Sequence, residues 1–168
     1  MNHHPRLSAG RLFVAAPLLA LALTLPAFAM AAPSVALKLT GVVLQTVDGK
    51  IQRTPLDGLA LKPGDDIEYD VIASNTGSSA ALKLVPMARI PAGTAYIAGT
   101  AKGVDASVQF SIDGGKSWSA IPMVTVNTPT GPVRKKADPS TYTTVRFARS
   151  GALAAGAKAQ YSYEVRVK

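Results

Sequence analysis

Lys62-Pro63-Gly64-Asp65-Asp66-Ile67-Glu68-Tyr69-Asp70-Val71 sets a proline-glycine turn directly before a strict alternation of apolar and acidic residues. A period of two puts Ile67, Tyr69 and Val71 on one face and Glu68 and Asp70 on the other, the pattern of a strand with one buried side. Asn75-Thr76-Gly77 ends it with residues suited to a turn. The same grammar repeats on both sides of this stretch.

Upstream, Val35, Leu37 and Leu39 alternate with Ala36, Lys38 and Thr40, which predicts a half-buried strand. Asp48-Gly49 then joins Val42–Val47 to Ile51–Thr54 as a tight hairpin. Downstream, a strand is expected from Ala81 to Ile90, closed by Pro91-Ala92-Gly93, with a short continuation over Ala95–Ala98. Ser107–Ile112 and Trp118–Val126 flank the turn Asp113-Gly114-Gly115-Lys116. Residues 127–140, rich in Pro, Thr and Lys, predict a long loop with room for a small hairpin at Thr130-Gly131. Tyr142–Ala148 and Gln160–Val167 close the chain, the latter with Tyr161, Tyr163, Val165 and Val167 on one face. Downstream of the N-terminal apolar stretch no helical period is sustained, so the fold class is all-β. Eight to ten short strands need a second layer to cover their apolar faces, which predicts an immunoglobulin-like antiparallel β-sandwich.

The first residues have a different character. Arg6 and Arg11 precede an apolar run from Leu12 to Phe28, interrupted by Pro17 and Pro26 and followed by alanines. This is the layout of a secretory signal peptide over residues 1–31, with cleavage after Ala31 preferred to cleavage after Ala29. One domain, residues 32–168, follows, exported to the periplasm or the exterior with no membrane span once the signal is removed.

Composition narrows the chemistry. The chain has no cysteine, which excludes a disulfide framework, a thiol nucleophile and a lipidated cysteine. Its two histidines, His3 and His4, lie in the signal, so the exported part lacks the usual neutral-pH base and the commonest transition-metal ligand. The 18 Lys and Arg outnumber the 10 Asp and Glu, a surplus that favours anionic partners in general. No nucleic-acid-binding module is present, and no cofactor is expected.

Lys62-Pro63-Gly64-Asp65, Glu68-Tyr69, Asn75-Thr76-Gly77, Ile90-Pro91-Ala92-Gly93-Thr94, Tyr96-Ile97, Gly99-Thr100 and Leu153-Ala154-Ala155-Gly156-Ala157 follow one another in a familiar order. In that order the chain resembles the prokaryotic surface-protein domain of unknown function number eleven, an immunoglobulin-like conserved repeat, in a short stand-alone exported form. The resemblance implies a sandwich in an envelope or secreted protein and brings no catalytic residues. In the physical reading of its signature, Gly64, Gly77, Gly93 and Gly156 permit turn conformations and Tyr69 packs in the core.

Ser111-Ile112-Asp113-Gly114-Gly115-Lys116-Ser117-Trp118 resembles the Asp-box hairpin, in which the aspartate ties down the turn. Trp118 has a second reading as a sugar-stacking platform. Arg134-Lys135-Lys136 is the one dense basic run, read as a soluble loop tip or a polyanion contact. Asp65, Asp66, Glu68 and Asp70 lack calcium-loop spacing, and strand alternation turns Glu68 and Asp70 to solvent. Hydrolysis by Asp113 or Glu164 has no supporting spacing. The expected function is therefore non-enzymatic: a structural or interaction protein of the bacterial envelope or exterior. Its expected partners are envelope proteins or anionic polymers. The alternatives are a carbohydrate or envelope-polymer binding module, or a filament subunit assembled by exchange of the strand Pro33–Thr40.

Overall fold

The structure, a computed structural model, describes residues 31–168; the signal expected over residues 1–31 lies, but for Ala31, outside the described residues. Eleven strands and one short 3-10 turn, Pro139–Thr141, make up the described chain, and it is an antiparallel β-sandwich. No helix among the described residues is long and apolar enough to cross a membrane.

The larger sheet runs in the order β2 (Lys50–Pro55), β1 (Val35–Val47), β3 (Asp66–Asn75), β11 (Lys158–Val167), β5 (Thr94–Tyr96), with β6 (Lys102–Gly103) also on β11. Its centre is the alternating Asp66–Val71 stretch: β3 pairs with β1 from Asp66 to Asn75 and with β11 from Asp66 to Ser74. The smaller sheet orders β4 (Met87–Arg89), β10 (Thr144–Arg149) and β7 (Ala106–Ser111). A separate hairpin joins β8 (Met123–Thr128) to β9 (Gly131–Lys136).

The core lies between the two sheets. Ile67, Val71, Tyr161, Tyr163 and Val165 meet Ala88, Phe110, Val145 and Phe147 there, all buried. Phe147 stacks on Tyr161 with centroids 5.0 Å apart, and Tyr96 meets Phe110 at 4.7 Å. Tyr69 stacks on Tyr163 at 5.4 Å, as its place on the inner face of β3 requires. The Tyr163 hydroxyl donates to Arg89 O at 2.8 Å, a buried polar tip satisfied across the sandwich. Its surroundings push the phenol pKa well above the ordinary value, mainly through burial.

Several expectations need correction. Leu37 and Leu39 share the inward face with Ala73 and Val71 but stay 53% and 52% exposed, because the three-stranded sheet is too narrow to cover β1. The strand expected over Ala81–Ile90 contracts to Met87–Arg89 plus one bridge, Ala81 to Leu153; Lys83, at φ 53°, breaks the extended backbone between them. In the strand expected over Trp118–Val126, only the part from Met123 is regular, while Ser119 bridges Phe110. The small hairpin expected at Thr130-Gly131 forms, but it is longer than expected and takes up much of the loop over 127–140, so Arg134-Lys135-Lys136 lies on a strand and not at a loop tip. Glu68 is 7% exposed, because Arg53 of β2 lies over it and bonds it at 2.8 Å. The Asp48-Gly49 hairpin forms as expected, with φ of 51° and 73°.

Asn75 closes one end of the fold. Its Oδ1 accepts from Ser34 N at 3.2 Å and Gly77 N at 3.1 Å, and its Nδ2 donates to Ser79 O at 2.8 Å and Leu153 O at 2.9 Å. Gly77 has a different task from the one expected: its φ is not positive, but a Cβ there would run into the backbone of Ala32–Ser34. Gly77→Ala is expected to cost about 1–3 kcal/mol by overpacking, whereas Gly151→Ala, with open space around it, should be neutral within about 0.5 kcal/mol. Denaturant titration of the two variants checks this; equal stabilities would refute the close-approach account.

Candidate functional site

The β7 end turns through Ser111-Ile112-Asp113-Gly114-Gly115-Lys116-Ser117 before Trp118. Asp113 Oδ1 accepts from Lys116 N at 3.0 Å, Ser117 N at 2.9 Å and Ser111 Oγ at 2.6 Å, while Ser117 Oγ donates to Oδ2. Ser111 Oγ in turn accepts from Gly115 N at 2.8 Å, and Gly114 N reaches Thr143 Oγ1 at 3.1 Å. Gly114 and Gly115 sit at φ 73° and 95°, a left-handed pair that L side chains adopt with difficulty. The hydrogen bonds from Ser111 and Ser117 hold the Asp113 carboxyl well below the usual carboxylate range. The turn is thus tied at both ends, and it fixes where Trp118 stands.

Trp118 is half-buried on the flank of the smaller sheet. The Arg146 guanidinium of β10 lies over its ring, 4.5 Å from Cζ to the centroid, and is steadied by Nε donating to Gln109 Oε1 at 2.7 Å. Such a stack stabilises the pair by about 0.5–2 kcal/mol. The indole lines two depressions. One, of about 240 Å³, is shared with Phe110, Ile121, Met123 and Arg134. The other, of about 540 Å³, is shared with Met87, Arg89 and Thr144.

Of the expected contact residues, the structure brings Trp118 and Arg134 to one cavity. In the hairpin register Arg134 opposes Thr125 and Lys136 opposes Met123, so Lys136 shares the Arg134 face. Lys135, opposite Val124, falls on the other face. Arg89 and Arg146 were not singled out in the sequence. They arrive from β4 and β10 through sheet pairing, and no local motif marks them.

Three acids make structural bonds away from Trp118. Asp66 is held by Arg166 through a two-pronged pair at 2.6 and 2.7 Å, Glu68 by Arg53, and Asp138 caps the 3-10 turn through Ser140 N at 2.8 Å. Among the described residues no three of His, Cys, Asp and Glu gather as a metal-ligand set. No family model matches the chain, and neither does a curated protein or a solved structure.

Asp113 carries a pH signature. A carboxyl whose folded pKa is depressed stabilises the fold above its unfolded value and loses that contribution as pH falls through the folded one. Wild type should therefore exceed Asp113→Asn in thermal stability at neutral pH. The gap should narrow as the pH drops below about 4, the ordinary carboxylate value. A gap that is constant from pH 7 to pH 2 would show that the turn does not depend on the ionised carboxylate.

Proposed function

We propose that the chain is an exported, non-enzymatic protein of the bacterial envelope or exterior that acts by binding, in keeping with the prokaryotic surface domain that its turn motifs resemble. The supporting observation is the surface around Trp118: an indole held by a rigid turn, with Arg146 on its ring and Arg134 and Arg89 in the adjoining depressions. Among the described residues, none of these three arginines forms an ion pair. A flat apolar ring beside unneutralised guanidinium forks suits a sugar ring bearing carboxylate or sulfate, since stacking and bidentate hydrogen bonds act together. The partner that fits best is an acidic envelope polysaccharide. The engagement of Asp66, Glu68, Asp113 and Asp138 in structural bonds supports a binding role over carboxylate catalysis.

The filament alternative by exchange of Pro33–Thr40 has less support. Val35–Leu44 pairs with β3 of its own chain, and Ser34 is gripped on both sides, its N by Asn75 Oδ1 and its O by Thr76 N at 2.7 Å. Releasing that strand would take the Ser34 amide from the Asn75 carboxamide oxygen and leave it Gly77 N alone.

The protein recovered after export from cells expressing the full chain should bind polygalacturonate and ignore neutral dextran. Trp118→Ala and Arg146→Ala should each weaken this binding by on the order of tenfold, equivalent to about 1.4 kcal/mol, with the melting curve retained. Equal affinity of wild type and both variants for the acidic polymer, or equal binding of dextran, would overturn the polymer reading. Turnover of any glycan that a point mutation abolishes would overturn the non-enzymatic one.

A further inference from the structure

Met87 and Met123 are the two methionines among the described residues, Met1 and Met30 preceding them. Both thioethers lie beside Trp118, one in each depression: Met123 with Arg134, and Met87 with Arg89. They are open to solvent, 39% and 56% exposed, although methionine is by type a residue of the core. Sheet register accounts for the placement. Met87 of β4 stands directly opposite Arg146 of β10, and Arg146 opposite Gln109 of β7, so one row across the smaller sheet reads thioether, guanidinium, amide. Arg89, two residues on from Met87, shares that outward face. Met123 stands opposite Lys136, whose face also carries Arg134. Directly opposed Cβ atoms are about 4.5–5.5 Å apart, so each sulfur is within side-chain reach of a cation. A thioether is a weak acceptor, and the cations gain little from it in its reduced state. Arg146 commits Nε to Gln109, and its terminal N–H groups bond nothing among the described residues.

We propose that Met87 and Met123 form an oxidation site that turns off the anion-binding face around Trp118. The oxidant is a peroxide. The sulfur lone pair attacks one peroxide oxygen, an S–O bond forms as the O–O bond breaks, and the departing hydroxide takes the proton from the oxygen left on sulfur and leaves as water. Sulfur thereby loses two electrons, which the peroxide gains, and the thioether becomes a sulfoxide. Each sulfoxide carries a strong acceptor oxygen where the thioether was a weak one. On Met87 that oxygen meets the terminal N–H groups of Arg146 or Arg89, and on Met123 the donors of Arg134 or Lys136. Charge-assisted hydrogen bonds to a tethered neighbour then occupy the groups that an incoming carboxylate needs. The same oxygens make the apolar walls of both depressions polar, which removes contact area for a sugar ring. The chain has no cysteine, so these are the only oxidisable sulfurs among the described residues. The loss of polymer affinity rests on the polymer reading above, whereas the oxidation and its effect on the indole do not.

The test treats exported wild type with hydrogen peroxide, and peptide masses after digestion locate each added oxygen. One oxygen is expected on Met87 and one on Met123, with Trp118 unmodified and a melting curve that shows a folded protein. Affinity for polygalacturonate should fall on the order of fivefold and return after treatment with both methionine sulfoxide reductases, one for each epimer. Combining Met87→Leu with Met123→Leu conserves side-chain volume, and the affinity of this double variant, whatever its starting value, should be the same before and after peroxide. Trp118 is the single tryptophan of the chain, so its emission reports the site without any polymer. Polar sulfoxides beside the ring should change that emission in the wild type, and peroxide should leave it unchanged in the double variant. Failure of the untreated protein to bind polygalacturonate would overturn the polymer reading alone, and the emission would still decide the oxidation site. Sulfurs that stay reduced, an emission or an existing polymer affinity that survives their oxidation, a loss that the reductases do not reverse, or an equal response of the double variant would overturn the proposal.

Discussion

The carboxamide of Asn75, 1% exposed, holds together three parts of the chain that are far apart in sequence. Its oxygen takes the amides of Ser34 and Gly77, and its nitrogen supplies the carbonyls of Ser79 and Leu153, with Ala154 O also within reach at 3.2 Å. The backbone of the same residue exchanges bonds with the turn before β11: Asn75 N donates to Ala157 O, and Gly156 N donates to Asn75 O. One side chain thus satisfies the start of β1, the exit from β3 and the entry to β11, the three adjacent strands of the larger sheet. Each of these groups left buried and unpaired would cost about 1–3 kcal/mol, so the site has little tolerance for another residue.

From that clamp the rest of the architecture follows. With β1, β3 and β11 aligned, Ile67, Val71, Tyr161, Tyr163 and Val165 form one apolar surface, and the smaller sheet needs only to lay Ala88, Val145, Phe147 and Phe110 against it. Three strands suffice to cover β3 and β11 but not β1. The incomplete cover explains how one molecule combines a dry aromatic core with two half-exposed leucines on its inner face. The Asp113 turn fixes Trp118, and the arginines of β4, β9 and β10 collect around it with no ion pair among the described residues.

Much of this was legible in the chain. The alternation in Ile67–Val71 and Gln160–Val167 marked the two central strands, because both faces of a strand are written into a period of two. Asp48-Gly49 and Asp113–Lys116 marked their turns, because positive φ restricts the residue types allowed. The carboxamide of Asn75 bonds Gly77 N and the carbonyls of Leu153 and Ala154, which ties Asn75-Thr76-Gly77 to Leu153–Ala157 physically. What escaped the sequence depended on neighbours. Alternation in Val35–Leu39 identifies a strand but cannot say whether a second sheet extends over it. Glu68 was expected in solvent because its pattern carries no information about Arg53. In residues 127–140 the hairpin at Thr130-Gly131 was legible but its length was not, since Pro132 and the basic run hide strands that extend from Met123 to Lys136. Of the site, Trp118 and Arg134 were visible as types, whereas Arg89 and Arg146 meet the indole only through sheet registration.

The most direct test of the Asn75 clamp is amide hydrogen exchange on wild type and Asn75→Ala at native pH. The account predicts that the substitution strips protection from Ser34 and Gly77, whose amides bond the missing oxygen. It also predicts that the loss spreads along β1 and through 153–157 before it reaches Val145 and Phe147 in the smaller sheet. Protection that stays unchanged at Ser34 and Gly77, or that falls uniformly across both sheets, would contradict the claim that this side chain joins the three strands.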